Sequence, residues 1–169
     1  MAARSFAQQV QAIKALYPDG RSATLPALRL AQERHGWLSP EALREVANAL
    51  DLTPAYCKAI ATFYDMYHLE PVGRHVVEVC TNLACALVGA QRVVEAFESE
   101  LGVAAGETTE EGEVTFRTIE CAGGCGYAPV VVVDGRYREP VSPDDVPSLL
   151  EELRSSGELR SPGEHSAEA

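Results

Sequence analysis

His75-Val76-Val77-Glu78-Val79-Cys80-Thr81-Asn82-Leu83-Ala84-Cys85 is the stretch on which the fold turns. Ahead of it, apolar residues recur at helical spacing. From His75 they follow the short period of a strand, and the strand ends in a cysteine. A second strand-like segment, Val114-Thr115-Phe116-Arg117-Thr118-Ile119, leads in the same way into Cys121-Ala122-Gly123-Gly124-Cys125-Gly126. Between them, Val88 to Leu101 reads as one helix with Val93, Val94, Phe97 and Leu101 inward and Gly102 as its stop. Residues 103–113 are small, acidic and Gly-bearing, and read as a loop. Beyond them, Pro129-Val130-Val131-Val132-Val133 reads as a strand buried on both faces, Asp134-Gly135 as a hairpin turn and Arg136 to Glu139 as the return strand. Ser142-Pro143-Asp144-Asp145 starts a last helix with Val146, Leu149, Leu150 and Leu153 inward. One sheet with helices packed on it accounts for this order.

Working back toward the N-terminus, the pattern is helical. Phe6, Val10, Ile13 and Tyr17 form a single stripe, broken by Pro18-Asp19-Gly20. Ser22 is placed to cap a second helix carrying Leu25, Leu28 and Ala31, with Pro26 in its first turn and Gly36 as its stop. Ser39-Pro40-Glu41 and Thr53-Pro54 are helix starts, a hydroxyl cap followed by proline. Leu43, Val46, Ala47 and Leu50 make the buried face of the third helix; Tyr56, Ile60 and Phe63 fall on one side of the fourth. Four short amphipathic helices imply a small bundle. The fold class is therefore α+β, with a helical bundle over residues 1–71, a sheet domain over 72–154 and a loose polar tail over 155–169.

Charge divides the chain at the same place. Residues 1–71 hold seven basic and seven acidic residues, whereas residues 72–169 hold seven and eighteen, so the net charge of −11 belongs wholly to the second part. Such an acidic surface repels phosphate backbones and excludes nucleic acid as a partner. The longest aliphatic run, Ala128 to Val133, is far short of the roughly 20 residues that span a bilayer, and no direct membrane insertion is expected. The first eight residues lack an apolar segment, so no secretion is expected and the five cysteines are placed in a reducing compartment.

The cysteines carry the chemistry. Cys80-x4-Cys85 and Cys121-x3-Cys125 each lie where a strand ends and a loop begins, so four thiolates can converge without crossing the core. A two-iron two-sulfur cluster needs four thiolates, two per iron. The glycines of the second segment let backbone N–H groups approach sulfur. Structural zinc uses the same ligands and stays open on spacing alone. Disulfides are disfavoured by compartment, and a dithiol oxidoreductase by the absence of a Cys-x-x-Cys.

Val79-Cys80-Thr81-Asn82-Leu83-Ala84-Cys85 and Glu120-Cys121-Ala122-Gly123-Gly124-Cys125-Gly126-Tyr127-Ala128-Pro129 closely resemble the thioredoxin-like ferredoxin subunit of respiratory complex I, the NuoE family. Ala61-Thr62-Phe63-Tyr64 and Gly36-Trp37 resemble that family's helical part, and the likeness runs over roughly residues 5–155. It implies a thioredoxin-like C-terminal domain with one mixed sheet. It also implies one [2Fe-2S] cluster per chain on Cys80, Cys85, Cys121 and Cys125, and membership of NADH:quinone oxidoreductase beside a flavin (FMN) and NADH-binding subunit and further peripheral-arm subunits. The implied location is cytoplasmic, peripheral on the inner membrane. The homologous subunit of an NAD-linked hydrogenase or formate dehydrogenase resembles it in the same motifs, and a zinc-stapled adaptor without redox role is the alternative from another class. No Gly-x-Gly-x-x-Gly follows a strand, so neither an NADH nor a flavin site is expected in this chain. An acidic domain disfavours an added electron, which predicts a low reduction potential.

Other residues read as structural. Cys57 is expected to be a small buried hydrophobe; His35, His68, His75 and His165 are scattered, and no histidine ligand is needed. Lys14, Lys58, Glu110 and Glu111 read as surface charge. Pro129 is a candidate for the cis proline of thioredoxin-like folds. Phe63-Tyr64-Asp65-Met66-Tyr67 carries more apolar surface than one stripe needs and reads as docking surface or as inter-domain packing.

Overall fold

The computed structural model describes residues 4–155. These divide into two compact units between Pro71 and Val72. The first unit holds four helices: α1 (Phe6–Lys14), α2 (Thr24–His35), α3 (Pro40–Leu50) and α4 (Pro54–Phe63). Local chemistry starts most of them. Ser5 and Gln8 form a reciprocal capping box. The Ser39 hydroxyl accepts from the Ala42 amide at 3.1 Å, and the Thr53 hydroxyl from the Tyr56 amide at 3.2 Å. Val10, Leu28, Leu38, Val46, Leu50 and Cys57 are fully or almost fully buried and make the bundle core, which confirms Cys57 as packing.

Three sequence expectations shift here. Ser22 does not cap α2, which begins after Ala23 without a side-chain cap; Ser22 instead donates its amide to Asp19 at 2.8 Å, closing the preceding turn. Tyr17 and Leu25 lie off the buried stripes because α1 ends at Lys14 and α2 turns Leu25 outward. On α4 the buried face is Cys57 and Ala61, with Ile60 packed beside them, whereas Phe63 at the helix end is 78% exposed.

The second unit is a five-stranded mixed sheet in the order β2-β3-β1-β4-β5. Its strands are β1 (His75–Cys80), β2 (Glu107–Thr108), β3 (Val114–Ile119), β4 (Val131–Val133) and β5 (Arg136–Arg138). β1 and β3 are parallel, with Cys80 opposite Ile119, and the other pairs are antiparallel. Asp134-Gly135 makes the tight β4–β5 turn with both residues at positive φ. Alternation sends Val77, Val79, Phe116, Val131 and Val133 into one core with α6 (Ala90–Leu101) and α7 (Val146–Ser155), where Phe97 and Phe116 stack at 5.3 Å.

The helix expected over 88–101 is α6, which starts two residues later at Ala90 and ends before Gly102 as expected; a further short helix that the sequence reading did not include precedes it. α5 (Leu83–Leu87) is separated from α6 by Gly89, whose φ of 99° ends the helical path. The expected loop 103–113 contains β2, drawn into the sheet by pairing with β3. The strand expected from Pro129 is shorter, Val131–Val133, and the Ala128–Pro129 and Glu139–Pro140 peptides are cis. Ser155 closes α7; the rest of the expected tail lies outside the described residues. His75, scattered in sequence, is buried against Asp134 at 2.7 Å, and Asp134 also accepts from the Val76 amide, tying the hairpin turn to β1.

Candidate metal centre

Parallel pairing of β1 and β3 brings their C-terminal ends side by side, and this is where the cysteines emerge. Cys80 is the last residue of β1; Cys121 follows two residues after the end of β3. Cys85 lies on α5 rather than in a loop. Asn82 starts that helix: its side chain accepts from the Leu83 amide at 2.9 Å and its carbonyl from the Ala86 amide at 2.8 Å. Cys125 opens a short 3-10 turn, Cys125–Tyr127. The two pairs differ in exposure: Cys80 and Cys85 are buried, Cys121 and Cys125 exposed. The buried pair packs with Ala90, Val130 and Val132, and with the partly buried Ile119, Ala122 and Ala128.

The thiols interact across the two segments. Burial pushes the Cys80 thiol up, but the Ala122 and Asn82 amides and the Cys85 and Cys121 thiols, all hydrogen-bonding to it, outweigh burial and bring it below the ordinary thiol range. Burial also raises Cys85; the Val130 amide opposes this, while the neighbouring Cys80 and Cys125 sulfurs add to it. The Ala122 amide lies 3.4 Å from the Cys80 sulfur. Two glycines let the second segment reach that position. Gly123 has φ +85°, and a Cβ on Gly124 would stand 2.9 Å from Glu139 Oε2 and 3.0 Å from Val130 Cγ2.

Four thiols with amide donors aimed at sulfur, apolar packing behind and no competing nitrogen or oxygen ligand among them form a donor set that fits an iron–sulfur cluster. Among the described residues, no three His, Cys, Asp or Glu side chains are grouped as around a single metal ion. Two irons would share the four sulfurs in pairs.

Two nearby features escaped the sequence reading. Glu78 and Arg117 face each other in register and form a partly buried ion pair, with Arg117 Nε 2.7 Å from Glu78 Oε1. Knowledge of the β1–β3 register was the missing signal. Tyr137 on β5 donates its hydroxyl to the Ala122 carbonyl; nothing in local sequence links these residues.

Residues 10–154 match the family of thioredoxin-like [2Fe-2S] ferredoxins. An E-type NADH-quinone oxidoreductase subunit of Rhizobium meliloti is 38% identical over 154 residues, which covers 91% of this chain and 92% of that protein. Its E-type counterpart in the NADH-quinone oxidoreductase of Mycobacterium tuberculosis is 43% identical over 139 residues, or 82% of this chain; the chain spans only 55% of that relative's length. Among solved structures, an NAD+-reducing [NiFe]-hydrogenase in the air-oxidized state superimposes with a TM-score of 0.71 at 21% identity, over 80% of this chain and 23% of that one. That likeness is one of fold.

Proposed function

This chain belongs to the thioredoxin-like [2Fe-2S] ferredoxin family, and from that premise we propose that it is the electron-transfer subunit of an NADH:quinone oxidoreductase, holding one [2Fe-2S] cluster on Cys80, Cys85, Cys121 and Cys125. The observation that carries this reading is the meeting of two cysteine pairs from separate segments, with the Ala122 amide directed at the Cys80 sulfur. A [2Fe-2S] cluster, when bound, supplies one-electron transfer, with a potential of about −400 mV in the plant-type ferredoxins.

The protein's own groups divide the remaining work. Buried Cys80 and Cys85 hold the inner side, where Val130 and Val132 exclude water. Exposed Cys121 and Cys125 bring the outer side to the surface, within reach of a docked electron donor. The Ala122 amide stabilises negative charge on sulfur. The acidic composition of residues 72–169 acts the other way and disfavours an added electron. The donor we assign is the flavin and NADH-binding subunit of the same complex, because this sequence carries no dinucleotide fingerprint of its own. Among the described residues no helix is long and apolar enough to cross a membrane. That fits a peripheral subunit on the cytoplasmic side of the inner membrane, held there by other members of the complex.

The full chain purified anaerobically tests the reading. It is expected to be brown, with sulfur-to-iron charge-transfer bands and equal amounts of iron and acid-labile sulfide. A colourless chain holding zinc overturns it in favour of a structural metal site.

A further inference from the structure

The Cys121–Cys125 segment has little of its own to hold it still. Its cysteines are exposed, and Gly123 and Gly124 leave the backbone unusually free. Yet the Ala122 amide must stay on the Cys80 sulfur for that bond to act. Val130 and Glu139 lie beside Gly124, and the Ala122 carbonyl is held from β5: Tyr137 donates its hydroxyl to it. Tyr137 lies opposite Val132 in the β4–β5 register. Val132 packs with Cys80 and Cys85, so Tyr137 stands on the side of the sheet that carries the cysteines. Tyr137 as a whole is 53% exposed, so burial is a poor reason for its place. The hydroxyl is the part that makes a specific connection.

We propose that Tyr137 is a positioning residue of the metal centre: by anchoring Ala122 from β5, it keeps the Ala122 amide on the Cys80 sulfur and raises the reduction potential. This rests on the cluster assignment made above. The physical step is short. An N–H directed at a ligand sulfur stabilises the added negative charge of the reduced state more than the oxidised state, so it favours reduction. Without the phenol hydroxyl, Ala122 gains freedom, the N–H···S bond is weaker on average and reduction becomes harder.

The test compares the full-length holoprotein with Y137F, and with Y127F as control. Tyr127 is 65% exposed and two positions from Cys125, but takes no part in the chain of bonds from β5 to Cys80. Iron and sulfide are assayed first, then the midpoint potential by EPR-monitored titration, and amide exchange at Ala122 by mass spectrometry. Y137F is expected to shift to lower potential, with Ala122 exchange faster by about fivefold, the size of one lost hydrogen bond. Y127F is expected to match the wild type in both. Y137F at an unchanged or higher potential, or with unchanged exchange, overturns the proposal. A wild-type chain without iron and sulfide instead removes the cluster assignment and the potential effect with it; exchange at Ala122 in that same chain still decides whether Tyr137 is an anchor. The phenylalanine ring keeps the half-exposed edge strand intact, and matched melting temperatures check that point.

Discussion

The segments 80–85 and 121–125 carry the same number of cysteines and are built in opposite ways. The first is part of the framework: Cys80 ends a central strand, Cys85 lies on a helix started by Asn82, and both sulfurs are buried against Val130 and Val132. The second is a glycine-bearing segment with both cysteines exposed, its Ala122 amide on the Cys80 sulfur and its Ala122 carbonyl accepting from Tyr137. The difference teaches that core packing positions one half of the centre, whereas the other half depends on a few directional bonds and on whatever the thiols bind. A site of this form is held firmly on the interior side and more loosely on the surface side, where the proposed electron donor would dock.

Removing a framework sulfur is the severest way to break this comparison. Cys80→Ala is expected to abolish iron retention, whereas Cys57→Ala, a buried thiol in the helical unit, keeps it; iron and sulfide assays of the two variants decide. Phe116→Ala removes the ring stacked on Phe97 beneath β1 and β3 and is expected to cost about 3–5 kcal/mol in urea unfolding. A loss below about 1 kcal/mol would mean that this stacked pair contributes little to the sheet from which Cys80 emerges. Gly123→Ala puts a Cβ on backbone at φ +85° and is expected to cost about 1–2 kcal/mol, felt as faster iron loss to a chelator with the sheet's own melting little changed. Equal destabilisation of both would contradict the independence of the outer segment. Ser39→Ala, in the helical unit, removes the cap on α3 and is expected to cost about 1 kcal/mol without changing iron retention.

A further effect is confined to alkaline pH. Burial pushes the Tyr67 hydroxyl up to about 12, and it donates to the Leu25 carbonyl. A raised folded-state value means its stabilising contribution is complete below about 10 and is lost as pH rises from there to 12. Alkaline unfolding of the helical unit is expected to be shallower in Tyr67→Phe; identical pH profiles would show that this hydroxyl ionises equally in both states.

Much of this was legible in the sequence because the signals are local. Ser39-Pro40 and Thr53-Pro54 start helices by bonds to amides three residues away, and Asp134-Gly135 turns a hairpin by its own backbone preferences. The four clustered cysteines were visible for the same reason: each pair lies on one short stretch. What escaped was non-local or depended on a single dihedral. The short helix α5 was missed, and the turn at Gly89 that parts it from α6 rests on one backbone angle, a φ of 99°. β2 has only two residues and exists through its pairing with β3. The Glu78–Arg117 pair needs the β1–β3 register, and the Tyr137–Ala122 bond needs β5 folded back beside the cysteine loop. Placing Cys85 in a loop overlooked Asn82 as a helix start, a signal that was present in the sequence.

The central claim is that four sulfurs from two unlike segments close on one redox-active iron pair. EPR of the anaerobic full-length chain after dithionite reduction tests it most directly. A single signal integrating to one spin per chain is expected, and none from Cys80→Ala. A wild-type chain that stays silent after reduction and yields zinc on metal analysis would contradict it.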